Sequence, residues 1–149
     1  MMRQLFLGLV AVSLSACGGS SGSPGQTGLD TAFRGLWVGT FTFDGALTGS
    51  AAGQLALSVS GNSMQVGYLC PDNNGTVTAS GSGDTANWSG TLACPPTAGA
   101  SNCPAAVFTF SSATATLAGG TTLNVLAQSN LSGCPSGNGP FTLNFSGTH

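Results

Sequence analysis

The sequence predicts an all-β domain, most simply an eight-stranded antiparallel up-and-down barrel, with a β-sandwich as the alternative arrangement. Three observations predict it. Apolar and polar residues alternate with a period of two in eight segments, no long segment has a helical period, and short glycine turns join some of these segments. The polar positions are Ser, Thr and Asn, so the outward face lacks the aliphatic side chains that a lipid-facing barrel requires.

The alternating segments follow a stretch, 29–34, that fits one turn of helix. Their ranges are 36–43, 54–60, 63–69, 75–80, 85–93, 105–111, 121–128 and 141–147. In the fifth segment, Gly90 is expected to share the inward face with Trp88. The sixth segment continues past its range, and the double serine Ser111-Ser112 predicts a bulge or a bend there. Barrel closure requires the first and last segments to pair, and both carry aromatic residues on one face.

Two kinds of connection separate these segments. Short glycine turns at 60–63, 81–84 and 118–121 suit hairpins that need positive φ angles. The other four connections, at 44–53, 70–74, 94–104 and 131–140, are long and hold every proline and cysteine that follows residue 28. In an up-and-down barrel these four lie together, so we expect a tight end, with the glycine hairpins, and an opposite connection end.

The four cysteines of the connection end are even in number in a chain that carries an export signal, which predicts two disulfides. The order of the strands favours Cys70–Cys94 together with Cys103–Cys134. The rival connectivity joins Cys94 to Cys103 and leaves Cys70 with Cys134. Metal ligation by four thiolates requires closely spaced cysteines and a reducing compartment, so no metal site and no cofactor are predicted.

Residues 1–28 differ from the rest of the chain. Residues 1–16 form a predicted signal peptide, because one arginine precedes an apolar run that is too short to span a bilayer. The motif Leu14-Ser15-Ala16-Cys17 resembles the lipobox of bacterial lipoproteins. The resemblance implies acyl chains on Cys17 and a bacterial envelope location, and Gly18 after the cysteine resembles outer-membrane sorting. Residues 17–28 then form the lipidated cysteine with a flexible Gly/Ser-rich tether, and the domain occupies 29–149.

Scarce charge excludes several classes of function. After the leader, one arginine, Arg34, stands against four aspartates, a net charge of −3. A single cation cannot displace the counterions of nucleic acid, so no nucleic-acid partner is expected. His149 is terminal and expected to be mobile, which leaves a Ser-His-Asp or Cys-His arrangement without its base. Asp44 and Asp72 are better explained as turn residues than as a carboxylate pair, so no enzymatic activity is predicted.

The motif Gly35-Leu36-Trp37, at the start of the first strand, resembles the lipocalin and avidin group of small barrels. The chain departs from lipocalins in having no arginine after the last strand to cover Trp37. The interior of an eight-stranded barrel holds either its own side chains or one small ligand, and both alternatives stay open. The inward-facing aromatic residues that are candidates to line a ligand site are Trp37, Phe41, Phe43, Tyr68, Trp88, Phe108, Phe110, Phe141 and Phe145.

These observations leave three candidate functions for a lipid-anchored envelope protein. The barrel binds a small apolar ligand, or the stapled connections form a protein-binding, inhibitor-like surface, or the protein has a passive structural role. Segments 68–70 and 79–83 resemble small disulfide-bearing lipoproteins that inhibit lysozyme. The expected partners are therefore the membrane, through the acyl chains on Cys17, and either a small apolar ligand or another protein.

Overall fold

The computed structural model describes residues 28–67, 77–94 and 106–149, and it forms a closed antiparallel barrel. The predicted leader, Cys17, the tether up to residue 27, Tyr68, Cys70 and Cys103 lie outside the described residues. A 3-10 helix at Thr31–Phe33 precedes the first strand. The strands are β1 (Gly35–Gly45), β2 (Gly49–Ser60), β3 (Ser63–Gly67), β4 (Val77–Ser82), β5 (Thr85–Cys94), β6 (Ala106–Ala118), β7 (Thr122–Ser132) and β8 (Gly139–Thr148). In this part of the chain, no helix is long and apolar enough to cross a membrane.

Barrel closure is confirmed, and the β-sandwich alternative is wrong. Each strand pairs with the next one along the chain, and β1 also pairs with β8 from Val38↔Thr148 to Gly45↔Phe141. The period-two pattern fits this arrangement, because alternate residues of the strands are buried and a closed sheet covers all of these faces in one interior. The β1–β8 pairing decides between a barrel and two stacked sheets.

The double serine in β6 lies at a bulge, as predicted. Phe110 pairs with Ser129, whereas Ser112 pairs with Gln128, so β6 has one extra residue opposite β7. The pairing with β5 shifts at the same level. The extra residue changes the phase of the strand: Phe110 points inward before the bulge, and Ala113 points inward after it. A strand of 13 residues can therefore bury side chains along its whole length.

The tight end has the predicted glycine hairpins. β2 and β3 are joined at Gly61, β4 and β5 at Gly83, and β6 and β7 at Gly119, with φ angles of 61°, 58° and 60°. This left-handed conformation matches the twist of two-stranded hairpins and is accessible to glycine without steric cost.

One predicted connection is wrong. The stretch 44–53 was expected to be a long loop, but β1 continues to Gly45, β2 begins at Gly49, and Phe43 pairs with Gly49. The stretch lacks alternating apolar residues, which removed the strand signal from the sequence. Main-chain hydrogen bonds do not require large side chains, and pairing with β1 is sufficient to extend β2.

At the connection end, the link between β7 and β8 covers residues 133–138 and contains Cys134 and Pro135, within the predicted 131–140. The links between β3 and β4 and between β5 and β6 lie outside the described residues. Gly90 shares the inward face with Trp88, as predicted: it pairs with the buried Phe110 and lies in steps of two from Ala86, Trp88 and Leu92. The surface of Gly90 itself is exposed.

Candidate functional site

The barrel interior brings together all of the described aromatic residues that the sequence placed on inward faces. Five of them are buried and three are half-buried, the latter packing against the buried core. The buried ones are Trp37, Trp88, Phe110, Phe141 and Phe145, and the half-buried ones are Phe41, Phe43 and Phe108. Tyr68 is outside the described residues.

The half-buried rings belong to one cluster at the connection end. We call Phe41, Phe43, Phe108 and Phe141 the rim aromatics. The ring centroids of Phe43 and Phe141 are 6.2 Å apart, those of Phe108 and Phe141 are 5.9 Å apart with nearly perpendicular planes, and those of Phe41 and Phe43 are 6.3 Å apart. These separations fall in the range of favourable aromatic pairs. The cluster is therefore internally packed, yet three of its four members retain accessible apolar surface.

Glycines on β1, β2 and β8 allow these rings to lie close to the barrel wall. Gly39 pairs with Gly53 on one side and with Gly147 on the other, which places three glycines in one row. A Cβ atom at Gly53 would meet the ring of Phe41 at 2.4 Å, and one at Gly147 would meet the ring of Phe145 at 2.6 Å. The two rings occupy the space that side chains would otherwise fill, and their centroids are 4.7 Å apart.

The wall formed by β4 to β7 has several small side chains beside its large ones. The buried inward residues of β4 to β7 include five alanines, namely Ala79, Ala86, Ala113, Ala115 and Ala127. Trp88 lies among them, opposite Ala113, and its indole Nε1 is buried without a hydrogen-bond partner among the described residues. A buried N–H donor without an acceptor is rare and costs free energy. This N–H group can donate a hydrogen bond to a water molecule or to an oxygen atom of a ligand.

The tight end is closed by the residues that precede β1. Leu29 and Phe33 are buried, the main chain of Leu29 bonds to Gly61, and Gly28 and Asp30 bond to Gly83. The indole Nε1 of Trp37 donates to the carbonyl of Phe33 at 2.9 Å. We call the segment from Leu29 to Phe33 the plug. Arg34 follows the plug and donates two hydrogen bonds to the carbonyl of Val59. These bonds hold the plug against β2.

His149, expected from the sequence to be mobile, is placed beside the first strand. Its ring stacks on Trp37, with centroids 4.2 Å apart and planes inclined by 29°. The β1–β8 register explains the contact, since Val38 pairs with Thr148 and the next position places residue 149 beside Trp37. The alternating pattern of β8 places residue 149 on the inward face. The contact with Trp37 follows from that pattern only when the pairing of β8 with β1 is known. His149 therefore covers the Trp37 ring. In the sequence, no arginine follows the last strand to do so.

The connection between β7 and β8 is held at its base. Cys134 is buried and disulfide-bonded. The side chain of Asn138 accepts from the amide of Cys134 at 3.0 Å and donates to its carbonyl at 2.6 Å. Both bonds fix the loop from within. The pairings Cys70–Cys94 and Cys103–Cys134 stay predictions.

Several of the charged side chains in the described ranges have structural contacts. Asp30 accepts from the amide of Ala32 and caps the 3-10 helix, and Asp84 accepts from the hydroxyl of Thr85. Within the same ranges, no group of three His, Cys, Asp or Glu residues lies close enough to hold a metal ion. The buried side chains of the described barrel are mostly apolar, the hydroxyl of the buried Ser129 donates to the carbonyl of Thr109, and the indole Nε1 of Trp88 is a donor without a partner there.

Comparison of the chain with protein-family models, with curated proteins and with solved structures found no match to any of them.

Proposed function

We propose that this protein is a lipid-anchored lipoprotein of the bacterial envelope whose non-catalytic barrel binds a small apolar ligand at the connection end. The observation that carries the proposal is the partial exposure of Phe41, Phe43 and Phe108 in a cluster at that end. Apolar rings that stay accessible inside a concave surface are typical of ligand sites.

The place where the chain enters the barrel supports this assignment. Gly28 and Leu29 bond to the hairpins of the tight end, so a tether from Cys17 joins the domain there. A flexible tether of 11 residues spans about 20 Å or less, which keeps the tight end near the bilayer. The connection end, at the opposite pole, then faces away from the membrane and stays accessible to a diffusing ligand.

The likeness to lipocalins and avidins supports the same function. Trp37 of the Gly35-Leu36-Trp37 motif is fully buried beneath the plug, so the motif stands at the closed end of the barrel. The ligand would then enter from the opposite side, beside the rim aromatics. Trp88 Nε1 is the one buried donor in the described interior that could orient a ligand through a carbonyl or hydroxyl oxygen.

Native mass spectrometry of the full lipidated chain, released from micelles of two detergents of different mass, tests the proposal. We expect one retained mass increment that is the same in both detergents. Phe43→Ala should weaken its retention about tenfold, because loss of the ring removes roughly 1.5 kcal/mol of apolar contact. Leu126→Ala, at an exposed position outside the barrel, is the matched control and should retain the ligand.

A bare barrel, or an increment that follows the mass of the detergent, would contradict ligand binding. Equal retention by the Phe43→Ala chain and the unaltered chain would place the ligand elsewhere and overturn the assignment of the rim aromatics.

A second candidate function, a protein-binding surface at the connection end, is favoured by the rigid 133–138 loop. Its disulfide and the two Asn138 hydrogen bonds hold the loop in one shape, which lowers the entropy cost of binding a partner. Capture of an envelope or host protein by the intact chain, lost after reduction and alkylation, would support it. Equal capture by both forms would contradict it.

The pairing of Cys103 with Cys134 belongs to this proposal. Val107 pairs with Ser132, the last residue of β7, so β7 ends two residues before Cys134 beside the start of β6, the strand that follows Cys103 in the sequence. Cys94 pairs with Ala106 and is one strand further from β7. The register therefore favours Cys103 as the partner, with Cys70 and Cys94 forming the second bridge.

A further inference from the structure

The outer surface of the barrel carries a groove that the interior site does not involve. It has a volume of about 560 Å³ and lies across four neighbouring strands, β6, β7, β8 and β1. Three spacings between adjacent strands give it a width of about 14 Å. The groove is therefore large enough to hold several rings of an extended ligand.

Outward side chains line the groove in two rows that follow the strand register. The first row is Thr40, Ser146, Asn124 and Thr116. The second row is Thr42, Asn144, Leu126 and Thr114. Seven of these eight side chains are neutral hydrogen-bonding groups, and each one is exposed or half-buried. The surface thus presents a regular set of hydroxyl and amide groups.

The groove has polar groups but no charge. No charged residue occurs in the sequence from 85 to 148, which includes β6, β7 and β8, and Asp44 is the one charged residue of β1. An anionic ligand would find no cation there, and an apolar ligand would desolvate hydroxyls and amides without replacing their hydrogen bonds. A neutral molecule rich in hydroxyl groups is the ligand that satisfies both conditions.

Two hydrogen bonds made by groove residues use the oxygen atom of an asparagine amide and leave its N–H groups available to a ligand. The hydroxyl of Ser146 donates to Oδ1 of Asn124 at 3.0 Å, and the hydroxyl of Thr114 donates to Oδ1 of Asn87 at 2.7 Å. An amide that accepts through its oxygen retains two N–H donors. The contact with Ser146 fixes Asn124 before binding, and the branched threonines lose little rotamer freedom, which lowers the entropy cost of binding.

Leu126 adds an apolar platform in the middle of the second row. It is 52% exposed, and its neighbours in the row are Asn144 and Thr114. A sugar ring has hydroxyls at its edge and C–H groups on its faces. A leucine flanked by hydroxyls and amides matches that division, because the ring face contacts Leu126 while the edge hydroxyls bond to the adjacent side chains.

We propose that this outer groove binds an uncharged glycan chain, with Asn124 and Asn144 donating to its hydroxyls and Leu126 contacting a ring face. The site is separate from the apolar interior. The protein would therefore bind a glycan on the outer surface of the barrel and a small apolar ligand at the connection end. The glycan would lie across the four strands, along the two rows of side chains.

Isothermal titration of the full chain in detergent micelles, with cellohexaose, laminarihexaose, chitohexaose and mannohexaose as neutral probes, tests the proposal. Hexagalacturonate is the anionic probe. We expect at least one neutral hexaose to bind and the anionic one not to bind. The double variant N124A/N144A should weaken binding at least tenfold, since two hydrogen-bonding amides are lost.

Asn130→Ala is the matched control, because Asn130 is an exposed amide on the same strand, outside the groove. It should leave the affinity unchanged, whereas Leu126→Ala should lower it severalfold. Failure of every neutral hexaose to bind at millimolar concentration would overturn the proposal. Binding that N124A/N144A leaves unaltered, or tighter binding of hexagalacturonate, would overturn it as well.

The same variants separate this site from the interior one. Phe43→Ala should weaken retention of the apolar ligand without changing glycan affinity, and Leu126→Ala should do the reverse. A variant that impairs both would indicate a loss of folding, which far-ultraviolet circular dichroism detects. The double variant is therefore scored only on chains with an unaltered β-sheet spectrum, and Leu126→Ala on the same chains provides an independent result.

Discussion

The two ends of this barrel are built from the same kind of residue but reach different degrees of closure. At the tight end, Phe33 and Trp37 have no solvent exposure, and the plug is tied to the hairpins by main-chain hydrogen bonds. At the connection end, Phe41, Phe43 and Phe108 stay half-buried. The difference teaches that aromatic content alone does not close a barrel, because a plug must also satisfy its own backbone groups where it enters the sheet.

A second contrast runs between the walls. β1 and β8 carry five of the eight described inward aromatic residues, and β4 to β7 carry the five buried alanines. Large rings on one wall can fill the interior only where the other wall provides small side chains to receive them. The rings of Phe41 and Phe145 also need the glycines of their own wall, which shows that the fit involves the backbone as well as the side chains.

The largest expected effect comes from opening the tight end. Phe33→Ala should lower the free energy of unfolding by about 3–5 kcal/mol, because a fully buried ring is removed and the plug cannot collapse into the space. Urea denaturation followed by tryptophan fluorescence measures the change. Leu36→Ala, an exposed position on the neighbouring strand, is the control. A loss below about 1 kcal/mol would show that the plug is not needed for closure.

At the connection end, the disulfide should contribute nearly as much. Cys134→Ser should lower the free energy of unfolding by about 2–4 kcal/mol, because one cross-link no longer restricts the unfolded chain. Alkylation and mass mapping should find the released thiol at Cys103. A released thiol at Cys70 or Cys94 would contradict the proposed pairing. Ser136→Ala, in the same loop, should change neither measurement.

Phe43→Ala is the direct counterpart of Phe33→Ala at the other end. We expect a smaller loss of about 1–2 kcal/mol, because the ring is already partly in contact with solvent. The same urea experiment compares the two chains. Equal losses would mean that the rim aromatics are core residues like any other, and the comparison between the two ends would then fail.

The smallest effect is expected for His149→Ala. The stack on Trp37 should be worth about 0.5–1.5 kcal/mol, and its removal exposes one face of the indole. A red shift of the tryptophan emission, with the urea midpoint only slightly lowered, would agree with the stack. Thr148→Ala controls for changes at the adjacent strand position. An emission spectrum identical to that of the unaltered chain would contradict the contact.

The period-two alternation was sufficient to predict the strands, their inward faces, the glycine hairpins and the bulge at the double serine. These features depend on neighbouring residues, so the sequence contains them locally. The extension of β2 was missed, because a run of Gly, Ala and Ser has no alternation.

For the candidate site, the sequence by itself determined which aromatic side chains face inward and that the four neighbouring strands of the groove carry almost no charge. Only the tertiary structure decided how deeply each ring is buried, that His149 lies on Trp37, and that two rows of hydroxyls and amides form one groove. The physical reason is that side-chain direction follows from the local backbone, whereas burial and cross-strand contact depend on the register between strands far apart in the chain and on closure of the whole sheet.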